Sequence, residues 1–327
     1  MNLAFMGHGA ASPSTRIEFH DFKLDDRLFL EKFFKAGGGR LCEYSFAVQY
    51  CWQSYNKSVW AILNDTLVIR FETGGQFRFT CPVGFGDSRR AVDSCLEWLA
   101  NAGSPPAIDY VPDSPGCNRV PDGLAALPDP DNNDYIYLRA DLAELPGKRF
   151  AHKRNHISAL SRDHQWRVVR LNADDRRHEL LEYVHKWALD RADDAGDRDL
   201  QLELDAVRRA IEFAVPLGLE VFGLDVDGAL AGMAICDRTH SDMATVHFEK
   251  ADAAVRGAYQ AICSGVASLM PPDVVYMNRE QDMGVEGLRK TKSSWHPVLI
   301  EKCRILRPAV DGAGVAGHDA GAIDADV

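Results

Sequence analysis

A stretch rich in Pro, Gly and Asp, from Pro112 to Asn133, interrupts an otherwise regular alternation of strand-like and helix-like runs, and the chain passes through a similar cycle on each side of it. That composition favours turns over element interiors, which marks the stretch as a linker. Upstream, helical periodicity over Leu24–Phe34 and Tyr44–Trp52 precedes strand-like runs at Val59–Leu63, Thr66–Phe71 and Phe77–Cys81, with Asn64-Asp65 suited to the first hairpin turn. A helix over Arg89–Ala100 and a strand over Ala107–Val111 close that cycle. Downstream, a strand at Tyr135–Leu138 leads into a basic helix from Asp141 to Leu160, a strand at Trp166–Arg170, and helices near 175–190 and 200–214. Strands follow at Glu220–Asp225, Ala231–Asp237, Thr245–Lys250, Val274–Asn278 and Val298–Ile305, with helices Gly257–Leu269 and Gly284–Ser293 between the last three. Hairpins followed by a strand-helix-strand unit, run twice, predict a tandem duplication of one α/β fold.

The length of 327 residues accommodates two cores of about 150 residues each. We expect domains over 15–133 and 134–307, flanked by disordered ends at 1–14 and 308–327, where small and polar residues lack hydrophobic periodicity. A net charge of −11 argues against a protein that coats nucleic acid, although a local basic cluster can still hold one phosphate-rich ligand. No signal peptide and no apolar run of about 18 residues is present, so the expected location is cytoplasmic, with peripheral membrane contact left open. Eight cysteines without a CxxC pair read as reduced core residues, and the His and carboxylate spacings suit no metal.

Separated motifs then carry a resemblance. They are His247-Phe-Glu-Lys-Ala-Asp252, Arg256-Gly-Ala-Tyr-Gln260, Asn278-Arg-Glu-Gln-Asp-Met-Gly284 and Gly287-Leu-Arg-Lys-Thr-Lys292, preceded by Glu43-Tyr-Ser-Phe46 with Trp52 and by Leu145-Pro-Gly-Lys148 leading to Lys153-Arg-Asn-His156. Over roughly residues 16–305 the chain resembles bacterial proteins similar to the C-terminal domain of phosphatidylglycerol lysyltransferase. That resemblance implies an α/β (α+β) fold of two tandem GNAT-like (acyl-CoA N-acyltransferase-like) domains, shared with Fem-type peptidyltransferases, which take an aminoacyl group from aminoacyl-tRNA. The implied activity is acyl transfer, with aminoacyl-tRNA or acyl-coenzyme A as co-substrate, no tightly bound cofactor, and a lipid, peptide or small molecule as acceptor. The sequence has no counterpart of the membrane-spanning half that accompanies the characterised lipid lysyltransferases, so the acceptor stays open. A non-catalytic module that captures an anionic ligand on the same fold is the reading from another class.

In such sheets two neighbouring strands splay apart to receive the acyl donor, here Thr245–Lys250 and Val274–Glu280. A period of two places Thr245, His247 and Glu249 on one face and Tyr276, Asn278 and Glu280 on another. Acyl transfer needs a proton acceptor near the nucleophile, which makes His247, Glu249, Glu280 and Asp282 the acid/base candidates. Ion pairing with Arg279, Arg289 or Lys250 is the structural alternative for these carboxylates. Arg256 and Gly257 sit at a strand-to-helix junction, where free backbone NH groups favour an anion, although Gly257 is equally explained by close packing. Lys148, Arg149, Lys153 and Arg154 form a basic run beside Asn155, and Arg289, Lys290 and Lys292 form a second. Each is either an anion site or a solvated helix face. The oligomeric state is not legible.

Overall fold

The computed structural model describes residues 17–37, 39–113, 120–190 and 198–309, so the ends expected to be disordered lie outside the described residues apart from 308 and 309. The first half contains β1 (His20–Asp21), α1 (Arg27–Gly37), α2 (Phe46–Asn56), β2 (Val59–Leu63), β3 (Thr66–Thr73), β4 (Gln76–Thr80), β5 (Val83–Gly84), α3 (Ser88–Asn101), β6 (Ile108–Pro112) and β7 (Leu124–Pro128). The second contains β8 (Asp134–Leu138), α4 (Arg139–Glu144), α5 (Ala151–Asp163), β9 (Trp166–Leu171), α6 (Arg177–Leu189), α7 (Arg198–Glu212), α8 (Ala214–Leu217), β10 (Glu220–Val226), β11 (Ala229–His240), β12 (Met243–Ala251), α9 (Ala258–Leu269), β13 (Tyr276–Asn278), α10 (Glu286–Ser293) and β14 (Leu299–Glu301). The last strand, β15, spans Cys303–Pro308.

Local chemistry explains the turns. Asn64 and Asp65 both take left-handed φ, 48° and 60°, the conformation that a two-residue hairpin between right-twisted strands demands. Asp227 and Gly228 do the same between β10 and β11. Asp87 caps α3 by accepting the Arg89 amide at 3.0 Å.

Two sheets result, ordered β1-β2-β3-β4-β6-β15-β7 with β5 against β3, and β14-β8-β13-β12-β11-β10-β9. Each contains the same path: three antiparallel strands, a crossover helix, and a parallel partner for the third strand. In the first sheet the parallel pair is β4 with β6 across α3, and in the second it is β12 with β13 across α9. The duplication expected from the sequence is therefore visible in the connectivity.

Three expectations need correction. The supposed linker contains β7, which pairs with β15 through registers such as Leu127 with Ile305. The strand expected over Val298–Ile305 is two strands: β14 lies on β8 at the edge of the second sheet, and β15 crosses back to sit between β6 and β7 in the first. The boundaries expected at 134 and 307 therefore omit a strand that the end of the chain lends to the first sheet. The basic helix expected from Asp141 to Leu160 is broken after Glu144, because Leu145 takes a left-handed φ of 49° ahead of Pro146 and Gly147.

One core joins the halves. Leu30, Phe46, Val68 and Leu99 of the first half pack in one cluster with Leu180 of α6, Val207 and Ile211 of α7, and Val221 and Phe248 of the second sheet. The opposite face of the second sheet packs on α4, α5 and α9 through Tyr137, Leu142, Leu160, Ile262 and Met277. The seven described cysteines are buried and carry free thiols. No helix among the described residues is long and apolar enough to cross a membrane.

Candidate active site

β12 and β13 run parallel through only three pairs, Met243 with Tyr276, Ala244 with Met277 and Thr245 with Asn278. β13 ends there while β12 continues to Ala251, which leaves the splay expected between these strands. Against β11, Val246 pairs with Cys236 and Phe248 with Ile235, so His247 has no opposite residue of its own. This β-bulge re-aims the strand. Val246 belongs to the core under α9, whereas Phe248, two residues on, belongs to the core shared with the first half. The shared face expected for Thr245, His247 and Glu249 therefore does not form. His247 turns toward the first half, and Glu249 lies among the α9-side residues, 2.8 Å from Arg279.

The His247 side chain is 4% exposed, with Nδ1 2.8 Å from Glu280 Oε1 and Nε2 3.1 Å from Asp237 Oδ1. Burial by itself would lower its pKa, but the charges of Asp237 and Glu280 outweigh that and push it up to about 10. His247 is thus a charged imidazolium at neutral pH, flanked by two carboxylates. Glu280 holds a left-handed φ of 58°, where a non-glycine residue is uncommon and strained. Its amide donates to Asn278 Oδ1 at 2.7 Å and its carbonyl accepts from the Tyr135 amide at 3.2 Å, which fixes that conformation.

Beneath Glu280 lies a buried polar network that reaches into the first half. Asn278 is fully buried and donates to the Arg40 carbonyl at 2.9 Å and to Asp134 Oδ2 at 2.6 Å. Asp134 also accepts the Cys42 amide at 2.6 Å, and burial pushes its carboxyl up to about 7. Glu43 accepts from Gln281 Nε2 at 3.0 Å, and burial together with the nearby charges of Asp134 and Glu280 pushes it up to about 8. Lys292 Nζ donates to the carbonyls of Arg279, at 2.6 Å, and Gln281, and burial pulls it down to about 8. Ser45 Oγ lies 3.2 Å from Asp237 Oδ2. The segment from Arg40 to Ser45 therefore completes a site built mainly on β11–β13. Glu43, Ser45, Asp134 and Asp237 were not among the expected site residues; the Glu43-Tyr-Ser-Phe46 motif was the only sequence signal for the first two.

The remaining candidates are dispersed. Asp282 accepts from Tyr135 Oη at 2.6 Å, Arg289 Nε at 2.8 Å and the Gly284 amide at 2.9 Å. Burial would raise its pKa, but these hydrogen bonds and the Arg289 charge hold it down at about 2, so it is a charged anchor at neutral pH. Arg289 also reaches Asp131 at 2.7 Å, and exposed Lys290 pairs with Glu286 at 2.6 Å. With Lys292 buried, the second basic run forms no single patch. Of the first run, Lys153 is buried, bonded to Ser294 Oγ at 2.6 Å and lying 4.6 Å from the Trp295 ring centroid, while Arg154 donates to the carbonyls of Leu145 and Gly147. Asn155 and Arg256 are exposed. Gly257 has φ 93°, and a Cβ there would fall 2.5 Å from the His156 carbonyl oxygen, so α9 starts against α5 only with glycine at this position. His156 has its pKa lowered by burial and then by the positive charges of His152, Arg256 and Lys153, which places these groups together at the α5–α9 junction. Among the described residues no group of three or more His, Cys, Asp or Glu side chains is arranged to hold a metal ion.

Residues 38–305 match the model of the family described as phosphatidylglycerol lysyltransferase, C-terminal. The chain belongs to this family. It is similar to a conserved protein of unknown function from Bacteroides thetaiotaomicron, 30% identical with a TM-score of 0.83, over 90% of this chain and 100% of that one. The C-terminal domain of a putative lysylphosphatidylglycerol synthetase from Agrobacterium fabrum is 17% identical with a TM-score of 0.59, over 80% of this chain and 86% of that one. FemX shares the fold at 11% identity and a TM-score of 0.52, over 88% of this chain and 97% of that one. In sequence, the chain also matches an uncharacterised protein of Mycoplasmoides gallisepticum, 23% identical over 178 residues, which are 54% of this chain and 56% of that relative. The fold, two sheets with the same strand path, is thus the one found in the lysylphosphatidylglycerol synthetase C-terminal domain and in FemX.

Proposed function

We propose that this protein is an aminoacyltransferase that moves an aminoacyl group from aminoacyl-tRNA to an amine or hydroxyl acceptor at the splay between β12 and β13. The supporting observation is the buried His247 imidazolium clamped between Asp237 and Glu280 where the strands part. A histidine charged at neutral pH is not itself the base. Its role is to orient Glu280, whose side chain is 20% exposed against 4% for His247, and to supply positive charge beside the reacting centre. In the reaction, the acceptor nitrogen or oxygen forms a bond to the ester carbonyl carbon, the carbon–oxygen bond to the ribose breaks, and the proton leaving the acceptor passes through Glu280 to the departing ribose oxygen. The exposed Arg256, with His152 beside it, is the candidate contact for the donor's phosphates, in place of the tied-down Lys153 and Arg154.

The test is transfer and binding with a panel of aminoacyl-tRNAs, deacylated tRNA and acetyl-coenzyme A at stated salt. Preference for a charged tRNA, with transfer lost in Glu280→Gln, supports the reading. Binding of acetyl-coenzyme A alone replaces the donor, and a folded Glu280→Gln with full transfer activity removes Glu280 from the mechanism.

A further inference from the structure

On the far side of α2 from His247 lies an open cleft of about 810 Å³. Ala47, Val48 and Cys51 of that helix face His247, whereas Tyr50, Gln53, Ser54 and Lys57 face the cleft, so one helix separates the two places. The cleft is lined by four cations, Lys23, Lys57, Arg70 and Arg209, against two exposed carboxylates, Asp21 and Asp25. That balance is opposite in sign to the chain's net charge of −11.

Three of the four cations are held in place. Arg209 donates to Ser54 Oγ at 2.6 Å, and Lys57 lies 2.9 Å from Glu72 Oε1. The Arg70 guanidinium is set among three rings, 4.5 Å from the Phe19 centroid, 4.7 Å from Phe77 and 5.0 Å from Trp98. Such a box fixes the direction of the guanidinium without neutralising it. Ser58, only 4% exposed, also lines the cleft, and neither its Oγ nor Arg70 Nε has a hydrogen-bond partner among the described residues. Both groups offer a hydrogen to an acceptor that none of the described residues supplies, and leaving such donors unmatched is costly. A ligand rich in acceptor oxygens and carrying negative charge answers both observations.

We infer that this cleft is a second ligand site and that it takes a phosphate group, free or as a phosphate monoester. The phosphate dianion accepts from Arg70, Arg209 and Ser58, and its charge is met by the two guanidiniums and Lys23, with Lys57 shared with Glu72. The inference does not depend on aminoacyl transfer, because the cleft shares no residue with the splay.

The experiment is calorimetric titration of the full chain with inorganic phosphate, glycerol 3-phosphate and adenosine 5′-monophosphate. Saturable binding of at least one probe is expected, and the ranking of inorganic phosphate against the two esters tells a free anion from an ester. The double charge reversal Lys23→Glu with Lys57→Glu, on exposed or partly exposed side chains, weakens that binding at least tenfold, Ser58→Ala weakens it severalfold, and Glu280→Gln leaves it unchanged. Absence of binding to all three probes overturns the inference. So does a folded double reversal that binds as wild type, or a Glu280→Gln variant that loses binding as severely.

Discussion

Glu249 was expected to share the site with His247, and the structure instead makes it the partner of a buried arginine. Arg279 and Glu249 side chains are 12% and 13% exposed, 2.8 Å apart, with the guanidinium also lying 5.2 Å from the Trp295 centroid and 5.6 Å from Tyr137. Glu249→Ala deletes the carboxylate and strands the guanidinium in an apolar setting, where Arg279 Nη1 already lacks a hydrogen-bond partner among the described residues. Removing one member of a buried pair costs about 3–5 kcal/mol, whereas replacing both members by apolar residues of similar volume is often close to neutral. For a chain of 327 residues unfolding as one unit, that loss lowers the melting temperature by about 4–7 °C. The assay is urea and thermal denaturation of Glu249→Ala, Arg279→Met and the double variant Glu249→Leu with Arg279→Met, each alongside aminoacyl transfer. The expected pattern is two unstable single variants and a double variant close to wild type. A Glu249→Ala protein within about 1 kcal/mol of wild type that has lost transfer would refute the structural assignment and return Glu249 to the chemistry.

Four further outcomes follow from the same geometry. Glu280→Gln keeps the side-chain shape but loses the proton acceptor, so kcat falls by about 10²–10⁴-fold with the fold intact, measured by single-turnover transfer. Glu43, raised to about 8 in the folded state from an ordinary 4.5, binds its proton more tightly folded than unfolded; its contribution to stability is complete below about pH 4.5 and is lost as pH rises through 8. Glu43→Gln, neutral throughout, therefore flattens the decline of the urea midpoint between pH 5 and 8, and an unchanged slope would show that Glu43 titrates normally. Gly257→Ala is destabilised by more than the roughly 1–2 kcal/mol of a left-handed alanine, since its methyl also meets the His156 carbonyl at 2.5 Å; equilibrium unfolding checks this. Arg256→Glu weakens donor binding and reduces the salt dependence of that binding by about one phosphate contact, read from titrations at several salt concentrations.

The correspondence between sequence and fold varied with the range of the interactions involved. Hairpins β2–β3 and β10–β11 were legible because Asn64-Asp65 and Asp227-Gly228 carry their own turn chemistry, and apolar alternation marked the strands beside them. β7 was missed because it has only a brief apolar run inside a turn-rich stretch and becomes a strand by pairing with β15, about 180 residues later in the chain. That His247 and Glu280 meet, 2.8 Å apart, was legible from the polar residues expected on two adjacent strands, although β13 ends at Asn278. The face of Glu249 was misjudged because a single bulged residue reverses every later side chain on β12.

Local physics, written in neighbouring residues, determined most of the elements and the duplicated path, though not β7. Tertiary structure decided which charges are free. It tied Lys153, Arg154, Asp282 and Arg289 into the scaffold, left Arg256 exposed, and carried Glu43 to within 3.0 Å of Gln281 across 238 residues of chain. The function of an ionisable side chain depends on its partners and its burial, and both are set by parts of the chain that no local pattern connects.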